Sequence, residues 1–356
     1  MRIEGKLKYK KLTYKFNPYV FARISAMKSL LLQKEEYDKI LKMDPSEIVK
    51  FLQEGVYKDE INSLAIKYSG IKLVENTLNK HLERVFLKLK RISDSETNYL
   101  MEQYLRRYDF WNLKTLIRAK QARVVEDDVF DLFLPVGTLS SGDLRRLYSL
   151  NSIKEIIASS GIIKPSEFRE AIDKYEMNND LSELENMLDF HYFKDSAAFA
   201  MQIPIQGKLF KDFFKYEFDI YNLNLILKKI FFKLDKEYVR RFFIYRNKEL
   251  TRETLKSLVE KENFGSFLTE LNKTGYGKLL SEINENTTDP ILRIEVIFNE
   301  FLLKKSLLLF HKIPLTINIV IGYIFAKEIE VKNLRTIIKS KKLEYKEDYV
   351  KKLIVV

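Results

Sequence analysis

A spacing near 110 residues at which the chain resembles itself constrains its fold more than any other feature of the sequence. Three tracts share one pattern: RYDFWNLKTLIRAK at 107–120, EFDIYNLNLILKKI at 217–230 and EIEVKNLRTIIKSK at 328–341. Each carries an acid followed three residues later by Asn-Leu: Asp109 with Asn112, Asp219 with Asn222, Glu330 with Asn333. The asparagines at 112, 222 and 333 are 110 and 111 residues apart. Short polar side chains are poor helix-interior residues because they compete for nearby backbone. Their recurrence on an otherwise apolar helix face predicts a buried acid–amide pair that fixes packing through satisfied hydrogen bonds.

Two further patterns keep the period. Glu75, Leu78 and His81 in LVENTLNKHL match Glu185, Leu188 and His191 in LENMLDFHYF, then Glu295, Phe298 and Phe301 in IEVIFNEFLL. Glu75, Glu185 and Glu295 are expected to pair with a base or a helix end in their own unit. Leu139, Leu144, Leu147 and Ile156 match Leu250, Leu255, Leu258 and Phe267, with Leu32, Tyr37, Ile40 and Ile48 as an approximate first copy. A period this long exceeds a solenoid repeat and is the size of a small domain with its own core. The expected organisation is a basic N-terminal extension over 1–16, then helical repeat domains at 17–128, 129–240 and 241–356.

The repeats read as all-α. Apolar residues between Tyr99 and Ile117 fall at helical spacing. EEYDKILKMDPSEIVKFLQE predicts two short helices broken at Asp44-Pro45, with Asp44 as cap and Pro45 in the first turn. Ser141 or Asp143 is the expected cap of DLRRLYSL. With only 11 Gly and 7 Pro in 356 residues, long helices are favoured over many turns. IPLTINIVIGYIFA at 313–326 is shorter than the ~20 residues a membrane span needs, so a buried core helix is expected.

The chemistry that sequence motifs announce is missing. No cysteine is present, which excludes disulfides, thiolate ligands and a Cys nucleophile. GTLSSGD at 137–143 has no Lys where a phosphate loop needs one. Of His81, His191 and His311, the first two share a repeat position that the third copy fills with Phe301, so packing is expected rather than metal ligation. Glu126-Asp127-Asp128 reads as a solvated loop and Trp111 as core. Net charge is +12, yet 50 acids are mixed among 62 bases with no long like-charge block, so the charges read as solvated helix faces. No catalytic residue, cofactor or metal site is expected. An enzyme built on the acid-x-x-Asn sites would need Asp109 or Asp219 unpaired in a cleft. A basic helical scaffold for nucleic acid would need one basic face with exposed aromatics.

The three motif tracts, with PLTINIVIGYIFAKEIEVKNLRTIIKSKK at 314–342 and YVFARISAMKSLL at 19–31, resemble the C subunits of the archaeal and bacterial V/A-type ATP synthases, whose eukaryotic relative is the d subunit of the vacuolar ATPase. The resemblance runs from about residue 17 to the end, with Phe21 departing from the family's smaller polar residue. It implies a funnel of three related helical domains and a non-catalytic rotor part. It further implies a place at the cytoplasmic face of the membrane, between the proteolipid ring and a central stalk made of the D and F subunits. No nucleic acid or small-molecule substrate is implied.

Overall fold

A computed structural model describes residues 16–283, 287, 289–311 and 316–356. The expected extension lies outside the described residues except for Phe16, as do residues 313–315 of the expected core helix and the side chain of His311. Every regular element among the described residues is helical. The capping signals at Asp44 hold: its carboxylate accepts from the Ser46 and Glu47 amides, and Pro45 opens the helix Pro45–Glu54. One residue differs at the next cap. Ser140, not Ser141 or Asp143, caps Ser141–Tyr148, with Asp143 returning the bond as the other half of a capping box. Glu126, Asp127 and Asp128 form the exposed first turn of a short helix rather than a loop.

Three long helical hairpins dominate. Their first arms are Gly70–Ile92, Ser182–Gln202 and Pro290–His311. Their second arms are Arg107–Ala122 (preceded by Ser95–Leu105), Lys208–Phe232 and Thr316–Lys342. The second arms end alike: Arg123, Lys233 and Glu344 adopt φ of 52°, 53° and 55°. The next amide in each case, of Val124, Leu234 and Tyr345, bonds back to Ala119, Lys229 and Ser340 at 3.0, 3.1 and 3.0 Å. This left-handed stop satisfies carbonyls that a helix end leaves orphaned. The first arms are entered alike too, with positive φ at Gly70, Asn179 and Asp289.

Between hairpins lie sets of short helices. The set 141–178 packs on the second arm before it and the first arm after it: Leu113, Leu116 and Ile117 share a core with Leu144, Leu147, Ile156 and Leu188. This core runs from Phe110 to Tyr192 and so crosses position 128/129, where the repeat spacing predicts a boundary. The two ends of the chain pack together in the other core, where Ile337, Ile354 and Val355 join Ile24, Ile40 and Leu78. The expected core helix is there as well: Ile319, Val320, Ile321 and Ile324 have no exposed surface.

The acid–Asn pairs account for this arrangement. Each asparagine clamps the backbone of the residue 22 positions downstream. Asn112 donates to the Leu134 carbonyl at 2.7 Å and accepts from its amide at 2.9 Å. Asn222 holds Ile244 at 2.7 and 3.0 Å, and Asn333 holds Val355 at 2.6 and 2.9 Å. The acids reach further. Asp109 accepts from the Thr138 and Leu139 amides at 2.9 Å and from the Thr138 hydroxyl at 2.7 Å. Its carboxylate lies so close to Gly137 that a Cβ there would stand 2.2 Å from Oδ1, which explains the glycine of GTLSSGD. Asp219 accepts from the Lys248, Glu249 and Leu250 amides at 3.2, 3.0 and 3.3 Å, and from the Tyr276 hydroxyl. Burial pushes its carboxyl upward against these donors. Glu330 has no chain left to reach forward to. It accepts instead from the Leu32 amide at 2.7 Å and the Tyr57 hydroxyl at 2.5 Å, beside a buried ion pair with Lys327 at 2.5 Å. Leu139, Leu250 and Leu32 are the matched leucines of the third repeat pattern.

The glutamates pair with bases, two of them outside the stretch expected. Glu185 meets Arg118 (2.5 Å between Oε2 and Nη2) and Glu75 meets Lys339 at 3.6 Å, each joining a first arm to the second arm of another hairpin. Glu295 alone pairs within its own hairpin, with Lys332 at 2.6 Å. The matched His81, His191 and Phe301 lie against Tyr57, Phe168 and Tyr276, with ring centroids 4.2, 5.4 and 5.4 Å apart.

Two outcomes follow for stability. Asn222→Ala strands the buried amide and carbonyl of Ile244, so urea unfolding should show a loss of ~1–3 kcal/mol. His81 is buried with Nδ1 3.2 Å from Glu60, and burial depresses its pKa despite that carboxylate. The unfolded chain binds the proton more readily, so this group's contribution is intact above about pH 6.5 and lost as pH falls below it. His81→Phe, which copies Phe301, removes that dependence. The stability of the native chain relative to the variant should therefore drop between about pH 7.5 and about pH 5, read from urea midpoints.

Candidate functional site

The acid–Asn residues point from each second arm toward neighbouring backbone. A different stripe of the same helices faces the place where the three arms meet. Two residues before each acid stand Arg107, Glu217 and Glu328, 110 and 111 residues apart. Like charges at three such matched positions would repel across a poorly solvated gap. The chain instead places one base between two acids. Arg107 Nη2 donates to both oxygens of Glu217 at 2.8 and 3.0 Å and to the Tyr192 hydroxyl at 3.0 Å, and its guanidinium lies 3.7 Å from the centre of the Tyr104 ring. Glu328 Oε2 is 4.0 Å from Arg107 Nη1, beyond hydrogen-bond reach, while Oε1 accepts from the Tyr108 hydroxyl at 2.7 Å. Burial pushes the carboxyls of both Glu217 and Glu328 upward, and Arg107 opposes the shift in each.

These three groups line a concave basin of about 640 Å³. Its wall continues along the same helical stripe with Trp111 and Lys114 on one arm and Lys332, Arg335 and Lys339 on another. Trp111 is therefore not a core residue: it is 36% exposed. The helical period explains the departure, since 107, 111 and 114 share a face at steps of four and three. The wall cations are matched by neighbours. Lys114 pairs with Asp189 at 2.5 Å, Lys332 with Glu295 at 2.6 Å, and Arg335 donates to Asn79 at 2.7 Å.

Of the nine residues the repeat motif singles out, none lines the basin, and only Glu295 lines the cleft beside it. Asp109 and Asp219 are fully buried and accept several hydrogen bonds each, so neither offers the unpaired carboxylate a catalytic reading requires. Sequence reasoning missed Arg107, Glu217 and Glu328 because it sought identity among the copies. The signal was the opposite: a repeat position, flanked by the motif, at which the sign of charge changes.

Known proteins share this sequence over nearly its whole length. A family model described as ATP synthase (C/AC39) subunit matches residues 20–353. The C subunit of the A-type ATP synthase of Methanosarcina barkeri is 33% identical over 341 residues, covering 95% of this chain and 92% of the relative. That of Methanococcoides burtonii is 32% identical over 340 residues, 95% and 94% of the two chains, and that of Haloquadratum walsbyi 31% over 341 residues, 94% and 97%. By the extent of these matches, the chain belongs to the ATP synthase (C/AC39) subunit family.

Proposed function

We propose that the protein is a non-catalytic rotor component of an A/V-type ATP synthase, set between the soluble stalk of D and F subunits and the proteolipid ring, where it transmits torque. Its working form is a funnel of three matched helical domains, at 17–128, 129–240 and 241–356, peripheral to the cytoplasmic face of the membrane. No described helix is long and apolar enough to cross a membrane, which agrees with a peripheral position.

The observation that carries this reading is the closure of the acid contacts. Asp109 binds the start of the second unit, Asp219 the start of the third, and Glu330 the start of the first. Three matched joints that return to their origin describe a ring rather than an open spiral, and a ring has an axial recess. The basin at Arg107, Glu217 and Glu328 fits that recess. Torque transfer asks for stiffness, which packed long helices and buried, satisfied polar clamps supply. It asks for no titrating group in a reaction.

Trp111, the only tryptophan, gives the basin its own reporter. Adding the purified D and F subunits of the stalk should shift its emission to the blue as water leaves the indole. The shift is obtained as a difference from a Trp111→Phe variant, with co-elution on a sizing column. No shift and no co-elution would sink the rotor reading, and salt-sensitive binding of RNA in its place would favour a nucleic-acid scaffold.

A further inference from the structure

The ring of matched contacts is not uniform. At two of its seams, a second arm is tied to the following first arm by the same pair of side-chain contacts. Lys114 and Arg118 hold Asp189 and Glu185. Arg335 and Lys339 hold Asn79 and Glu75. At the third seam the matched residues are Asn224 and Lys228 on one arm, Asn299 and Glu295 on the other. There, no hydrogen bond joins Asn224 to Asn299, and Glu295 turns to Lys332 within its own hairpin. A cleft of about 430 Å³ stands open between these arms. Its walls are largely apolar, with Ile220, Tyr221, Ile294 and Phe298 among them. It joins the basin directly, since Asp189, Phe193, Glu217 and Asn299 line both.

The basin has its own imbalance. Asp189, Glu217 and Glu295 each have a base within 2.8 Å. Glu328 has its nearest base at 4.0 Å and no hydrogen-bond donor on Oε2 among the described residues. Arg107 cannot turn to it without leaving Glu217 and Tyr192. A partly buried carboxylate in a concave site, short of one cation, is complementary to a positive group arriving from outside.

We propose that the basin and the open seam together seat a single helical tip, which brings a basic side chain to Glu328 and lays an apolar flank along Ile220, Tyr221, Ile294 and Phe298. This rests on the rotor reading for the identity of the tip, which would belong to the stalk. The two seams closed by ion pairs fix the ring, and the unpaired seam admits the partner. The tip is thereby seated in one of three pseudo-equivalent orientations, which a rotating joint needs if it is not to slip.

The test uses the full chain and the purified D and F subunits of the stalk, with Kd from the Trp111 emission change. Glu328→Gln keeps an acceptor for Tyr108 but removes the charge, and should weaken binding about tenfold or more while flattening its salt dependence. The double variant Asn224→Lys, Asn299→Asp copies the Lys114–Asp189 pair, narrows the open seam and should weaken binding as well. Both variants should melt at or above the native temperature, which separates lost binding from lost fold. If the native chain binds the stalk and either variant binds equally well, the seating proposed here is wrong and the rotor reading stands. If the native chain does not bind the stalk, both fall.

Discussion

Everything in this molecule hangs on an amide that answers one residue of backbone twice. An asparagine side chain presents one donor and one acceptor at nearly the spacing of a peptide's own carbonyl and amide. Asn112, Asn222 and Asn333 each use both on a single residue, Leu134, Ile244 and Val355. Each of those residues sits in an irregular segment that has left one helix and not begun another, where buried backbone has no ladder to join. The clamp meets that need and fixes how far the segment lies from the long arm. The acid three residues earlier on the helix, one turn away on the same face, then receives the amides that follow. Neither residue would earn its place in a helix by propensity. Both are required because the apolar contacts of Leu113, Leu116 and Leu144 are non-directional and leave the register of the short-helix set open.

How much of this was readable from residues alone divides along physical lines. The helical class, the repeat and the structural burial of the acid–Asn pairs were legible, because periodicity and misplaced polar residues leave marks in a linear string. The Asp44-Pro45 helix start was legible for the same reason, being chemistry between neighbours. The partners of Glu75 and Glu185 were not, since they lie on another hairpin at Lys339 and Arg118. Nor was the exposure of Trp111, which depends on a surface that exists only once three arms have met. A stripe facing an axis reads in sequence like any other stripe. Arg107, Glu217 and Glu328 could have been found only by asking where matched positions disagree.

That disagreement is informative about how a repeated chain departs from symmetry. Copies of one sequence placed around an axis bring identical side chains together, and identical charges in a confined space are unfavourable. Changing one of three to the opposite sign relieves most of the conflict and leaves a residue of one sign. The seams show the same logic. Two are tied by bases on Asn79, Glu75, Asp189 and Glu185, and the third has lost its basic member to Asn224. Near-symmetry thus supplies the frame, while a few substitutions at matched positions supply the features that a partner distinguishes.

The third clamp also bears on the birth of the chain. The bond from the Leu32 amide to Glu330 spans 298 positions, while its two counterparts at Leu139 and Leu250 span 30 and 31. During synthesis the first two joints can form as soon as their segments emerge. The short helices around Tyr37, Ile40 and Ile48, translated first, must wait for the helix Thr316–Lys342, translated nearly last. Until then their apolar faces have no cover of their own. The earliest part of this protein to be made is the last to be finished, and a chaperone's attention belongs there.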